Sequence, residues 1–145
     1  MRAKSKYDIL KLSNQACFPL YAAARKITGM YTPFLKPLDL SYIQYVVLLA
    51  LWEENDLSVG DLCVKLYLDS GTLTPILKKM ENKKWLKRVH STIDERVVIV
   101  HLTEEGLDMR KKCLEIPKHI ATCVPFTKDD IKYLHKILYQ ILEEF

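Results

Sequence analysis

Leu57-Ser58-Val59-Gly60-Asp61-Leu62-Cys63-Val64-Lys65-Leu66-Tyr67-Leu68-Asp69-Ser70-Gly71-Thr72-Leu73-Thr74-Pro75-Ile76-Leu77-Lys78-Lys79-Met80 contains two helix starts and one turn. Ser58, with Asp61 three residues on, is a capping-box-like start, and Val59, Leu62, Cys63 and Leu66 then recur at helical spacing. The spacing predicts a short helix with one apolar face. Asp69-Ser70-Gly71 reads as a turn. After it Leu73, Ile76, Leu77 and Met80 fall on one face of a second helix, with Thr72, Pro75, Lys78 and Lys79 on the other. That outward face is small, hydroxylic and basic. Further on, Trp85 to Val89 and Arg96 to Leu102 are rich in β-formers, and the polar link Ser91-Thr92-Ile93-Asp94-Glu95 reads as a hairpin tip.

A helix of this kind fits the major groove of DNA, and an arginine-tipped hairpin fits the narrower minor groove. Charge is distributed to match. Gly71 to Thr103 holds seven lysines and arginines against three acidic residues, whereas Ser41 to Ser70 holds one against five. The positive potential falls where phosphates would lie. The expected fold is mainly α with a small β-hairpin wing, a winged helix-turn-helix, and the expected partner is double-stranded operator DNA. Lysines on a helix are commonly no more than a solvated face; the hairpin is what favours DNA.

At 145 residues with a net charge of +4, the chain fits one domain with a real core and no need of a disulfide or metal staple. No apolar run approaches the ~20 residues of a membrane span, and Met1-Arg2-Ala3-Lys4-Ser5 lacks the apolar segment of a signal peptide. The expectation is a cytoplasmic protein with no membrane partner and no cofactor. Cys17, Cys63, Cys113 and Cys123 have no C-x-x-C spacing and start as thiols in a reducing compartment. His119 and Cys123 stand at helical spacing, but two ligands fall short of a zinc site.

Outward from the central stretch, Met1 to Lys6 is polar and basic. A helix is expected from Leu12 onward, capped by Ser13 or Asn14, with Leu20, Ala23, Ala24 and Ile27 as its inner stripe. Pro19 is tolerated only near a helix start, which sets the regular helix close to Cys17 and its end before Pro33. Cys17 then lies in a first turn, where unpaired N–H groups and the macrodipole favour an anion. Tyr31 to Leu40, with Pro33 and Pro37, reads as a linker with one turn of helix. Ser41-Tyr42-Ile43-Gln44 is a capping box that opens a helix to Glu53, apolar nearly all round and therefore central. Thr103 caps a helix expected to run to about Pro117. Thr127 with Asp130 starts the last one, along which Ile131, Leu134, Leu138, Ile141, Leu142 and Phe145 form a long stripe. So much apolar surface on a terminal helix implies a homodimer, whose two-fold axis would also space two recognition helices about one DNA turn apart. The single domain, 1–145, thus divides into a DNA-binding lobe of about 41–103 and dimerisation segments of about 7–40 and 104–145.

Nearly the whole chain resembles the multiple-antibiotic-resistance regulator (MarR) family of winged-helix dimers, in its organic hydroperoxide resistance (OhrR) branch. The resemblance rests on Gln15-Ala16-Cys17-Phe18-Pro19-Leu20-Tyr21, Ser41-Tyr42-Ile43-Gln44-Tyr45, Leu51-Trp52-Glu53, Leu66 through Pro75, and Asp94-Glu95-Arg96. It implies a repressor, not an enzyme, in which organic hydroperoxide oxidises the thiolate of Cys17. It also implies that Tyr31 and Tyr42 of the partner subunit hydrogen-bond that thiolate, with Tyr21 completing the pocket, and that oxidation releases the operator. Cys123 is a candidate resolving thiol and reads equally well as a free-standing cysteine, Cys113 is a weaker candidate, and a low-molecular-weight thiol is the remaining alternative. Ser70, Thr72 and Lys79 would face the major groove and Arg96 the minor groove, with Asp94 orienting Arg96. Thr74, Lys78 and Arg88 complete the expected contact set. Pro19 and Ile43 depart from the usual pattern beside the sensor, and Lys87-Arg88-Val89-His90 carries fewer charges than many such wings.

Plainer readings stand beside these. An intracellular helical cysteine is usually a small buried hydrophobe, which fits Cys63. Tyrosines are usually core residues with ordinary hydroxyl partners, and Asp94 with Arg96 could be a plain surface ion pair. A regulator sensing a phenolic ligand, a thiol-based global stress or virulence regulator and a thiol peroxidase-like enzyme are the alternative functions.

Overall fold

The computed structural model describes residues 5–144. Residues 1–4, in the basic N-terminal stretch, and Phe145, the last member of the apolar stripe, lie outside the described residues. The helices are α1 Cys17–Met30, α2 Thr32–Leu35, α3 Tyr42–Glu53, α4 Val59–Leu66, α5 Ser70–Asn82, α6 Glu104–Cys113, α7 Ile116–Cys123 and α8 Lys128–Glu143. The strands are β1 Leu57–Ser58, β2 Leu86–His90 and β3 Val98–Leu102. Turns of 3-10 helix at Asp8–Leu10 and Leu12–Asn14 precede α1, and another at Lys36–Leu38 follows α2.

Three helix starts form as their side chains dictate. Ser41 and Gln44, Ser58 and Asp61, and Thr127 and Asp130 each close a reciprocal capping box at α3, α4 and α8. Asp69, expected within a turn, is instead the N-cap of α5, so the link between α4 and α5 is shorter than expected. Its carboxylate accepts the Thr72 amide at 2.8 Å and the Thr72 hydroxyl at 2.7 Å. Tyr67 closes α4 in the left-handed conformation (φ 52).

α3 is central, as its all-round apolar sequence requires: Tyr45, Val47, Leu48, Ala50 and Leu51 are buried in it. Leu62 of α4 and Leu73, Leu77 and Met80 of α5 pack into the same core. The sheet runs β1-β3-β2, all antiparallel, with Leu57 opposite Val100 and Arg88 opposite Val100 on the other side. β1 was not expected. Two residues are too few to show a period, and their strand character comes only from pairing with β3. The hairpin forms, with a longer tip: Arg96 lies in the loop, and β3 begins at Val98.

Gly106 sets how closely α6 approaches this sheet. A Cβ there would stand 1.9 Å from the Trp85 carbonyl oxygen. The Gly106 carbonyl accepts the Trp52 indole N–H at 2.9 Å, and its amide donates to the Thr103 hydroxyl at 3.1 Å. One glycine thus joins α3, α6 and the start of β2.

The arms outside the core differ from expectation. α1 begins at Cys17; Ser13 and Asn14 do not cap it, since both belong to the preceding 3-10 turn and the Asn14 side chain donates to the Asp8 carbonyl at 2.6 Å. α6 stops at Cys113 because the Pro117 ring would meet that residue's carbonyl in a continuous helix. Pro117 instead falls in the first turn of α7. No residue of α1 or among the described residues of α8 is buried. Leu20, Ile131, Ile137, Ile141 and Leu142 stay 40–55% exposed. No single helix among the described residues is long and apolar enough to cross a membrane.

Replacing Gly106 with Ala should lower stability by about 1–3 kcal/mol, the usual cost of overpacking. Chemical denaturation with tryptophan fluorescence as the probe would measure it, and an unchanged midpoint would contradict the close approach described.

Candidate nucleic-acid interface and thiol site

α5 turns its apolar side inward and leaves Ser70, Thr72, Lys78 and Lys79 exposed, with Thr74 half-buried. Thr72 is not a free hydroxyl. Because its O–H is donated to Asp69, its oxygen offers an outside partner only acceptor capacity. The same hydrogen bonds hold the Asp69 carboxyl below the usual range.

The wing tip is closed by its own polar groups. The Ser91 amide donates to Val97 O at 2.8 Å, Ile93 N to Ser91 Oγ at 3.1 Å, and Val97 N to Asp94 O at 2.9 Å. Arg96 then projects from the tip, its side chain 90% exposed. Asp94 orients it: Arg96 Nε donates to Oδ1 at 3.0 Å and Nη2 to Oδ2 at 3.1 Å. This fork holds the Asp94 carboxyl below its ordinary range. A bidentate grip on so exposed a guanidinium adds little stability, and its effect is to fix direction.

Arg88 is placed differently from the free contact expected of it. Its Nε and Nη2 donate to Glu81 Oε2 at 3.1 and 2.7 Å, and its backbone amide donates to Glu81 Oε1 at 2.9 Å. The pair ties the end of α5 to β2. Arg88 still lines a groove with Thr74 and Arg96, but its charge is already matched. Sequence reasoning missed Glu81, because a partner seven residues away across a helix end leaves no periodic signal.

Cys17 is the first residue of α1 and is exposed, and the preceding Ala16 has no side chain to cap the open amides. Tyr21, one turn on, accepts a hydrogen bond from Arg25 Nη1 at 3.4 Å. Tyr31 and Tyr42 meet edge to face, ring centroids 4.9 Å apart, and Tyr45 lies 5.9 Å from Tyr31. Burial raises the Tyr31 and Tyr42 phenol pKa values, with Tyr42 adding to the effect on Tyr31, and pushes Tyr45 up to about 12. These hydroxyls therefore stay protonated and can donate. The structure brings Tyr31 and Tyr42 together, while no hydrogen bond within the described chain joins either to Cys17. Cys123 ends α7 and is exposed; Cys63 is half-buried; Cys113 is buried, and burial pushes its thiol pKa up. The His119 ring stacks on Phe34 at 5.2 Å. Among the described residues no three His, Cys, Asp or Glu side chains converge as a metal site would need.

An exposed basic helix and an arginine-bearing wing, built on the three-stranded sheet, define the class of winged-helix transcriptional regulators. Residues 29–113 match the family described as transcriptional regulator SarA/Rot. The organic hydroperoxide resistance transcriptional regulator of Bacillus subtilis is 44% identical over 97% of this chain and 95% of its own length. The HTH-type transcriptional regulator MgrA of Staphylococcus aureus is 33% identical over 95% of each chain. The structure of reduced AbfR bound to DNA superposes with a TM-score of 0.79 at 36% identity, covering 97% of this chain and 98% of that one. The chain belongs to the MarR family of transcriptional regulators, in its organic hydroperoxide resistance branch.

The tie between α5 and β2 has a pH signature. Arg88 holds the Glu81 carboxyl below its ordinary value of 4.5. A depressed native pKa gives stability that is complete above the unfolded value and lost as pH falls through the native one. Glu81→Gln should therefore cost under about 1 kcal/mol at neutral pH, given that the pair is part-exposed, and should flatten the stability loss below pH 4.5. Denaturant midpoints of both proteins between neutral and acid pH would measure this; parallel curves would contradict it.

Proposed function

We propose that the protein is a cytoplasmic homodimeric repressor that binds operator DNA and leaves it when organic hydroperoxide oxidises Cys17. Residues of about 41–103 form the DNA-binding lobe, and about 7–40 and 104–145 the dimerisation segments, where the exposed apolar faces of α1 and α8 find cover in the second subunit. On the operator, Ser70, Thr72, Thr74, Lys78 and Lys79 face the major groove, and Arg96, aimed by Asp94, enters the minor groove. Arg88 acts through Glu81 to hold the wing in register with α5.

The observation that carries the switch is the position of Cys17: exposed, at the uncapped start of a helix that one chain leaves uncovered. Peroxide reacts with thiolate, so a sensor thiol must be one that the oxidant can reach, as the exposed Cys17 is. The sulfur attacks one peroxide oxygen, the O–O bond breaks, the alcohol leaves with the proton, and sulfenate remains on Cys17. Tyr31 and Tyr42 of the partner subunit donate to the thiolate before oxidation. Afterwards the added oxygen displaces those bonds and the interface shifts. Cys123, exposed in the other arm, is the resolving thiol: its attack on the sulfenic acid yields a disulfide and water. That the 44%-identical relative is named for organic hydroperoxide resistance supports this choice of oxidant.

Two predictions separate the parts. Arg96→Ala should weaken operator binding by about 1–3 kcal/mol, and Lys79→Ala should lower the salt slope of log Kd by about one. Fluorescence anisotropy across a salt series measures both, and wild-type values in both variants would remove this DNA-contacting face from the reading.

Cys17→Ser should bind the reduced-state operator with wild-type affinity and stay bound when cumene hydroperoxide releases the wild type. Losing about 3 kcal/mol of DNA affinity corresponds to over a hundredfold release. If Cys17→Ser is released as readily, Cys17 is not the sensor.

A further inference from the structure

Lys83 stands where the segment between the two phenols meets the end of α5. As the C-cap of α5, it carries its backbone out of that helix toward β2. Its Nζ pairs with Asp39 Oδ2 at 2.8 Å, donates to the Asp39 backbone carbonyl, and lies 4.6 Å from the centre of the Trp85 ring. Asp39 closes the turn Lys36–Leu38 in a left-handed conformation (φ 55), one that non-glycine residues seldom adopt. Trp85 is buried and opens the way into β2. One ammonium group therefore holds a strained corner of the linker against the end of the recognition helix and the root of the wing.

Asp39 belongs to the short run bracketed by Tyr31 and Tyr42, whose rings touch. Beside that run, Thr28, Thr32, Asp39, Tyr42, Gln44 and Lys83 help line a cavity of about 490 Å³. Space on that side leaves the linker room to move when its phenols change partners. Asp39 is 86% exposed, so its pair with Lys83 is weakly held and suits a reversible contact better than a stabilising one.

We propose that Lys83 is a positioning residue that couples the Tyr31–Tyr42 segment to the recognition helix, so that displacement of the two phenols moves the end of α5 through Asp39. The proposal rests on the reading of Cys17 as the sensor, with the two phenols as its partners. What sets this pair apart is that the same ammonium group meets the carboxylate and backbone carbonyl of Asp39 and lies over the buried Trp85 ring.

Peptide-resolved hydrogen exchange on the reduced, DNA-free protein tests the mechanical link. Lys83→Met and the exposed-site variant Asp39→Ala should each speed exchange both in residues 36–41 and in 79–85; acceleration confined to the mutated segment overturns the proposal. Operator titration with and without cumene hydroperoxide tests the signal. The release factor should fall from about a hundredfold to about tenfold or less in Lys83→Met and return in Lys83→Arg. Sulfenic acid trapping at Cys17 should keep its wild-type rate. An undiminished release factor, or slowed trapping that places the effect at Cys17, also overturns it. Should the wild type not be released by peroxide at all, the sensor reading fails, and hydrogen exchange still decides whether Lys83 joins the two segments.

Discussion

Among the described residues, the buried apolar side chains all lie between Leu35 and Ile120; α1 and α8 contribute none, and α1 meets this core only at its end, where the half-buried Met30 packs against it. Helical stability in water comes mostly from packing an apolar face, and isolated helices of this length are marginal. α1 has 14 residues and α8 16, so neither is expected to persist as a free arm. Their order depends on surface supplied from elsewhere. Cys17 sits on one of these dependent helices and Cys123 just before the other, while the residues proposed to face DNA sit on the part of the chain that carries the core. On the proposed function, a chemical event at Cys17 acts where the structure is least supported and outside the core.

Within the lobe, precision comes from a few short-range ties. Gly106 permits α6 to rest on the Trp85 carbonyl, Glu81 fixes Arg88, and Asp94 fixes Arg96. Each acts on geometry more than on stability. Of these, Glu81–Arg88 bears most on register: it spans the turn at residues 82–85, about which α5 and the hairpin could otherwise pivot, and the proposed function needs the two to enter adjacent grooves together.

Much of this was legible because it is local. The reciprocal caps at Ser41, Ser58 and Thr127 need only four residues each, and the Leu73/Leu77/Met80 face needs one helical period. The orienting of Arg96 by Asp94, expected from the family resemblance, is what the wing tip displays. What could not be read is non-local or too short. β1 is two residues, the Arg88 partner lies across a chain reversal, and the Asp39–Lys83 contact spans 44 positions. The stop at Cys113 was in principle readable from Pro117, but a proline marks only where a helix is disturbed, and it serves as well in the first turn of a new helix.

The placement of the phenols bears on why one chain shows Tyr31 and Tyr42 together but without Cys17. Partial burial raises both phenol pKa values, with Tyr42 adding to the effect on Tyr31, so both hydroxyls are available as donors. Cys17, the acceptor that the proposed function assigns them, faces solvent at the start of α1 in the single chain. Donors and acceptor that complement each other chemically, on elements that one chain does not bring into contact, fit a pocket assembled between subunits. Such a pocket reports its chemistry as a change in how two lobes are spaced, and two recognition helices can hold one operator only at a fixed spacing. Even a shift well short of unfolding would therefore be enough to lose the second half-site, and with it most of the affinity that two tethered contacts give over one.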